Sequence, residues 1–95
     1  MAVLHLLRSS PFESSQIDNM LAIMKKDDKV VLVDDGCYLV HHRLLELCAQ
    51  HVNSNIAIID EHKKARNIVL DERVQIISYK QLTHLFTEHK STITW

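Results

Sequence analysis

Cys37 and His41 are residues whose types and spacing could do chemistry together. Cys37 follows an apolar run, two aspartates and the chain's single glycine in the sequence VVLVDDGCYLV. At the start of a helix, unpaired backbone amides favour a thiolate, and a histidine four residues later lies one turn away. One interpretation is therefore that Cys37 is a nucleophile assisted by His41. A neutral His41 would accept the thiol proton, and a cationic His41 would stabilise the thiolate.

A structural interpretation of the same segment competes with the chemical one. Asp34 and Asp35 disfavour a second negative charge beside them. They are expected instead to cap the helix, with Gly36 supplying a backbone angle that other residues avoid. Cys37 is then a small residue packed at a strand–helix junction. Cys48 falls on the apolar stripe of the predicted helix and is expected in the core, because free cysteines are often buried.

Other catalytic and cofactor chemistry is poorly supported. The chain has seven histidines but no CxxC, HxH or HExxH spacing, so we expect no metal site. Ser9 and Ser10 lack the glycine elbow and the evident base of a serine nucleophile. The single glycine argues against a P-loop and a Rossmann fingerprint, which both need several glycines. We therefore expect no bound cofactor.

Composition limits the broad class of protein. The 95 residues carry a formal net charge of -1, which favours one domain over residues 1–95 without direct contact with nucleic acid. No apolar run approaches the 18 residues of a membrane helix, so we expect none. Residues 1–7 are too short for a signal peptide and lack its basic start, so we expect no such segment. Two cysteines in such a pattern are typical of reduced thiols, so we expect a cytoplasmic protein.

Hydrophobic periodicity predicts strands that alternate with helices. The predicted strands are 2–7, 30–33, 56–59 and 74–77, and the predicted helices are 13–25, 37–51, 61–66 and one that begins after Ser78. Residues 92–95 are expected to form an edge strand or a docking segment. This order predicts an α/β domain with a mostly parallel sheet and helices on both faces, in flavodoxin-like layering.

Three other helix starts carry capping signals. Ser15 with Asp18, and Ser78 with Gln81, have the spacing of capping boxes. Asp60 directly follows a predicted strand and is expected to cap the short polar helix after it.

A parallel sheet gathers the carboxyl ends of its strands at one edge, where ligands bind. The residues predicted to meet there are Arg8, Ser9, Ser10, Asp34, Asp35, Gly36 and Asp60, together with Cys37, His62, Ser78 and Tyr79. If the chain has a ligand site, we expect it among these residues.

Stray apolar residues indicate an interface with another subunit. At 100° per residue, Leu39 lies about 200° from Cys37, on the polar side of the predicted helix. Ile93 and Trp95 add an apolar tail. A small core with apolar residues left outside is typical of an obligate subunit.

Four segments together resemble the DsrH/TusB family, the smallest subunit of the bacterial sulfur-relay (DsrEFH/TusBCD) complex. They are LHLLRSSPF, VVLVDDG, IAIIDE and the final TITW, and their order and spacing extend the resemblance over the whole chain. The resemblance implies a mostly parallel α/β subunit that assembles with two related sister subunits, commonly as a dimer of heterotrimers. It also implies that such a complex takes persulfide sulfur from small sulfur-carrier proteins and passes it toward 2-thiolation of the wobble uridine of certain tRNAs.

The family places the persulfide-carrying cysteine of this relay in a sister subunit. Some relatives in sulfur oxidation carry a cysteine in the first helix, and the predicted helix 13–25 has none. The resemblance therefore implies a non-catalytic subunit in the tRNA branch. Two alternatives stay open: a stand-alone or dissimilatory sulfurtransferase that uses Cys37 with His41, and a small homo-oligomeric domain that binds a ligand at its strand ends.

Overall fold

Five parallel strands form the centre of the molecule. The structure, a computed structural model, describes residues 2–69 and 71–95. Its strands are β1 (Val3–Leu7), β2 (Lys29–Leu32), β3 (Ile56–Ile59), β4 (Val74–Ile77) and β5 (Ser91–Thr94). Its α-helices are α1 (Gln16–Ile23), α2 (Leu44–His51), α3 (Asp60–Ala65) and α4 (Tyr79–Glu88), and a 3₁₀ helix spans Asp34–His41.

The strands lie in the order β4-β3-β2-β1-β5, and every neighbouring pair is parallel. This confirms the predicted α/β class and its parallel sheet. The segment after α4 is an edge strand, because β5 pairs with β1 from Val3 opposite Ser91 to Leu6 opposite Thr94. The strand order reverses at β1, which lies between β2 and the last strand of the chain.

Both faces of the sheet are covered. On one face, Ile17 of α1 and Leu45 of α2 join a buried cluster with Leu32. On the other, Leu82 and Leu85 of α4 pack against a smaller buried cluster that contains Leu4, Val31, Val33, Ala57, Ile59 and Ile77. Every residue of β2 and β3 is buried, as continuous apolar runs in a parallel sheet indicate.

The predicted helix 37–51 is wrong as a single α-helix. The chain forms the 3₁₀ helix Asp34–His41, and α2 begins only at Leu44. A 3₁₀ helix has three residues per turn, so Gly36 and Leu39 share one face. That face is buried, and Leu39 is 0 % exposed. Its predicted place on the exposed side, and with it an interface role, was therefore wrong because 100° per residue does not apply to this segment.

Three of the four predicted caps were also wrong. Asp34 and Asp35 do not cap the helix after β2: they are the first residues of the 3₁₀ helix, whose N-cap is Val33 without a side-chain capping hydrogen bond. Ser15 occupies the N-cap position of α1, but its side chain makes no capping hydrogen bond, and α1 is shorter than the predicted 13–25. Asp60 is the first residue of α3, whose N-cap is Ile59. The capping box before α4 is confirmed: the Ser78 amide donates to Gln81 Oε1 at 2.8 Å, and the Gln81 amide donates to Ser78 Oγ at 3.2 Å.

Candidate functional site

A polar cleft of about 760 Å³ lies at the carboxyl ends of β1 and β5. Its lining combines the turn after β1, the start of the 3₁₀ helix, the end of α3 and the end of β5. The lining residues are Arg8, Ser9, Ser10, Glu13, Ser14, Asp34, Asp35, Arg66, Thr94 and Trp95. The structure thus brings together Arg8, Ser9, Ser10, Asp34 and Asp35 of the predicted strand-end residues.

Two arginine–aspartate pairs cross the cleft. Arg8 Nε donates to Asp34 Oδ2 at 3.2 Å, and Arg66 Nε donates to Asp35 Oδ1 at 3.0 Å. Arg66 Nη1 also donates to the His62 carbonyl at 3.3 Å, which holds the Arg66 side chain against the last turn of α3. Exposed pairs of this kind add little stability. The two pairs instead fix the position of the guanidinium groups, because each group is held through its Nε.

Asp34 joins the ends of three strands through its backbone. Its φ of 47° lies in the left-handed region, which aspartate tolerates better than most residues. In this conformation its amide donates to His62 Nδ1 at 2.8 Å. His62 Nδ1 is thus an acceptor, so Nε2 carries the ring proton and donates to the Tyr79 hydroxyl. The chain after β2 is thereby linked to residues that follow β3 and β4.

Gly36 allows the closest approach between the 3₁₀ helix and the sheet. A Cβ at this position would lie 1.8 Å from the Leu7 carbonyl oxygen and 2.5 Å from its carbon. That oxygen already accepts the Val33 amide at 3.0 Å, a bond that joins the ends of β1 and β2. The predicted reason for the glycine was wrong, since its φ is not positive. The structure needs the missing side chain, and the left-handed residue is Asp34.

The two cysteines are fully buried free thiols, each 0 % exposed. Cys37 Sγ donates a hydrogen bond to the Leu32 carbonyl at 3.6 Å. Burial raises the pKa of both thiols to about 12. His41 is exposed, so it does not share the buried environment of Cys37. The arrangement does not support the predicted nucleophile pair, because a reactive cysteine needs access and a lowered pKa.

We expect neither cysteine to react with iodoacetamide in the folded chain. Burial withholds both sulfur atoms from the reagent, and the raised pKa leaves almost no thiolate at neutral pH. Intact-mass spectrometry before and after addition of a denaturant measures this directly: no adduct on the native chain, two on the unfolded chain. Rapid native labelling of Cys37, absent from a Cys37→Ser variant, contradicts the expectation.

Sequence reasoning missed a buried polar network that connects the first strand to the last residue. His5 and Asp28 are both almost fully buried, and His5 Nε2 lies 2.9 Å from Asp28 Oδ2. The Trp95 indole Nε1 donates to His5 Nδ1 at 3.0 Å. Because Nδ1 accepts, His5 Nε2 carries the proton and donates it to the Asp28 carboxylate.

Asp28 also accepts two backbone amides. The Val3 amide donates to Oδ1 and the Lys25 amide to Oδ2, each at 3.0 Å. Burial alone raises the pKa of Asp28, but these amides and His5 together hold it below its ordinary value. The signal in the sequence was His5 itself, at an interior position of an apolar strand. A buried imidazole requires hydrogen-bond partners, although the sequence does not say which residues provide them.

Of the remaining predicted residues, Trp95 belongs to this network, whereas Asp60 and Ile93 lie outside it. Asp60 is not among the cleft-lining residues, and its carboxylate pairs with Lys64 at 3.0 Å. Ile93 is partly buried in β5, and the partly buried Trp95 packs against the larger core cluster. Within residues 2–69 and 71–95, no group of three or more histidine, cysteine or acidic side chains is placed to hold a metal ion. No helix in those ranges is both long and apolar enough to cross a membrane.

These features define a small parallel α/β domain with a polar strand-end cleft and two buried thiols. The family model described as DsrH like protein matches residues 9–92, and the chain belongs to this family. No curated protein matches the chain. Membership confirms the resemblance drawn from the sequence and supports a role related to sulfur relay. Members of the family normally work in complexes with other sulfur-relay subunits.

Proposed function

We propose that this chain is a non-catalytic subunit of a heteromeric sulfur-relay complex that serves 2-thiolation of the tRNA wobble uridine. One observation carries the non-catalytic part: Cys37 and Cys48 are the only cysteines of the sequence, and both are buried with the pKa raised to about 12. A persulfide carrier needs an accessible sulfur atom of low pKa. The sulfur is therefore carried by another subunit, and this chain contributes binding surfaces.

Exposed apolar side chains supply material for those surfaces. The large ones are Phe12, Ile23, Leu47, Val69, Ile76, Tyr79 and Phe86. Tyr79 and Phe86 are seven residues apart on α4, so they lie on one stripe of that helix. The outer edge of β5, which contains Ile93, offers unpaired backbone groups beside Trp95. We assign the contacts with sister subunits to the α4 stripe and to this edge.

The proposed complex contains this chain and two related sister subunits, as a dimer of heterotrimers in the cytoplasm. It receives sulfur from small carrier proteins, and the present subunit makes no direct contact with nucleic acid. The near-neutral charge agrees with that role, since a surface that binds tRNA needs a basic patch.

Co-expression with the two sister subunits tests the assembly. We expect this chain to co-elute with both in size-exclusion chromatography, and a Phe86→Ser variant to weaken that association. Lys80→Ser, on the same helix, is the matched control, because it truncates an exposed charged side chain that lies outside the stripe of Tyr79 and Phe86. If the chain elutes alone in the presence of folded sister subunits, the proposal is wrong.

A cysteine-free chain tests the non-catalytic assignment. We expect a complex that contains the Cys37→Ala, Cys48→Ala chain to transfer sulfur to tRNA at the rate of the unmodified complex. Each substitution removes one buried sulfur atom and lowers the free energy of unfolding by about 1 kcal/mol, so the measurement is made well below the melting temperature. Thiolated uridine is quantified by mass spectrometry of digested tRNA. Loss of thiolation from a complex that still assembles refutes the non-catalytic role.

A further inference from the structure

The position of the cleft in the sheet marks it as a ligand site. The chain leaves β1 toward α1, on the face with the larger core cluster, and reaches β5 from α4, on the opposite face. The strand order reverses at the β1–β5 boundary, and the helix that follows β1 and the helix that precedes β5 lie on opposite faces of the sheet. In parallel α/β sheets, ligands bind in the crevice at such a point, beyond the carboxyl ends of the strands. The 760 Å³ cleft occupies this crevice, with residues from the ends of both strands in its lining.

The cleft presents oriented cationic donors. Arg8 and Arg66 are each held through Nε by an aspartate. In the described part of the chain, both terminal nitrogens of Arg8 and Nη2 of Arg66 have no protein acceptor. A guanidinium fixed at Nε with free terminal N–H groups is suited to bind the oxygens of a phosphate or carboxylate. The cleft can thus hold one anionic group.

The same cleft also presents acceptors. Glu13, Asp34 and Asp35 line it, together with the hydroxyl groups of Ser9 and Ser14. Carboxylates repel a ligand that is anionic throughout, but they accept hydrogen bonds from hydroxyl groups, as acidic residues do from ribose in nucleotide sites. A ligand that matches both sets has one anionic end and a body rich in hydroxyl groups. A volume of 760 Å³ suits a small molecule larger than a bare oxyanion.

We propose that the cleft binds a phosphorylated polyhydroxy small molecule of the sugar-phosphate class. The phosphate group lies against Arg8 and Arg66, and the hydroxyl groups donate to Glu13 and its neighbouring acceptors. This site is independent of the proposed role in sulfur relay, and neither conclusion requires the other.

A titration of the full chain with ribose 5-phosphate, monitored by amide chemical shifts in NMR, tests the site. We expect saturable shifts confined to the turn after β1, the start of the 3₁₀ helix and the end of β5. The Arg8→Gln variant should bind at least about tenfold more weakly, since it removes charge-assisted hydrogen bonds. Arg73→Gln is the matched control, because Arg73 pairs with Asp71 and does not line the cleft. Its affinity should equal that of the unmodified chain.

Three further titrations separate the parts of the proposal. Ribose and sodium chloride at matched ionic strength should give no saturable shifts at these residues. Inorganic phosphate should bind more weakly than ribose 5-phosphate, and Glu13→Gln should reduce that difference. The proposal is overturned if ribose 5-phosphate gives no saturable shift, if Arg8→Gln binds as well as Arg73→Gln, or if ribose or chloride produces the same response. Equal affinity for inorganic phosphate removes the polyhydroxy part.

Discussion

The Gly36→Ala variant should lose at least about 3 kcal/mol of unfolding free energy, and its folded fraction at physiological temperature should fall sharply. The new Cβ would meet the Leu7 carbonyl oxygen at 1.8 Å, and that oxygen belongs to the backbone at the end of β1, which cannot move aside as a flexible side chain can. The 3₁₀ helix must move away, which breaks the bond from the Val33 amide to Leu7 and opens the buried face around Leu39. Urea denaturation followed by circular dichroism measures the loss.

His41→Ala is the matched control for Gly36→Ala. His41 ends the same 3₁₀ helix but is exposed, so its truncation should change the unfolding free energy by about 0.5 kcal/mol or less. If Gly36→Ala is as stable as this control, the close approach to Leu7 does not explain why glycine occupies the position.

The Asp28→Asn variant should lose about 3 kcal/mol or more at neutral pH. The carboxylate accepts from the Val3 amide, the Lys25 amide and His5 Nε2, and both oxygens are used. Asparagine replaces one oxygen with a donor, so at least one buried N–H group then faces another. The exposed neighbour provides the control, because Asp27→Asn removes the same charge without a buried hydrogen bond.

Acid should narrow the difference between Asp28→Asn and the unmodified chain. The pKa of Asp28 is lowered in the folded state, against an unfolded value of about 3.9. The charged carboxylate therefore contributes stability that is complete above the unfolded pKa and is lost as pH falls through the folded pKa. Urea denaturation at neutral pH and in steps below about pH 4 measures the convergence. A constant difference across that range contradicts a charged Asp28 in the folded chain.

The strands and their order along the chain could be predicted from the sequence, because each strand is marked by the residue types within its own segment. VVLV and IAII are continuous apolar runs, and both are buried on the two faces of the sheet as such runs predict. The helix after β2 was mistaken for an α-helix for a physical reason. Its geometry is set by the contact of Gly36 with Leu7, 29 positions earlier in the chain, and periodicity within the segment carries no trace of that contact.

Part of the cleft could also be predicted from the sequence. Parallel strands must bring their carboxyl ends together, so Arg8 and Asp34 could be placed at one edge from the order of elements alone. Arg66 was missed because it reaches the cleft from the far end of a short helix. The partners of His5 were missed because Asp28 and Trp95 are 23 and 90 residues away, and only the register of the sheet aligns them.

The position of β1 between β2 and β5 also affects how the sheet forms during folding. One neighbour of β1 is paired from Lys29 onward, but the other must be recruited from Ser91–Thr94, across most of the chain. Closing so long a loop is entropically costly and slow, which raises the contact order of the fold. Until β5 arrives, β1 presents a bare edge to other chains. Docking of β5 covers that edge and delivers the Trp95 indole to His5, so the outer edge assigned to the sister subunits forms together with the buried network.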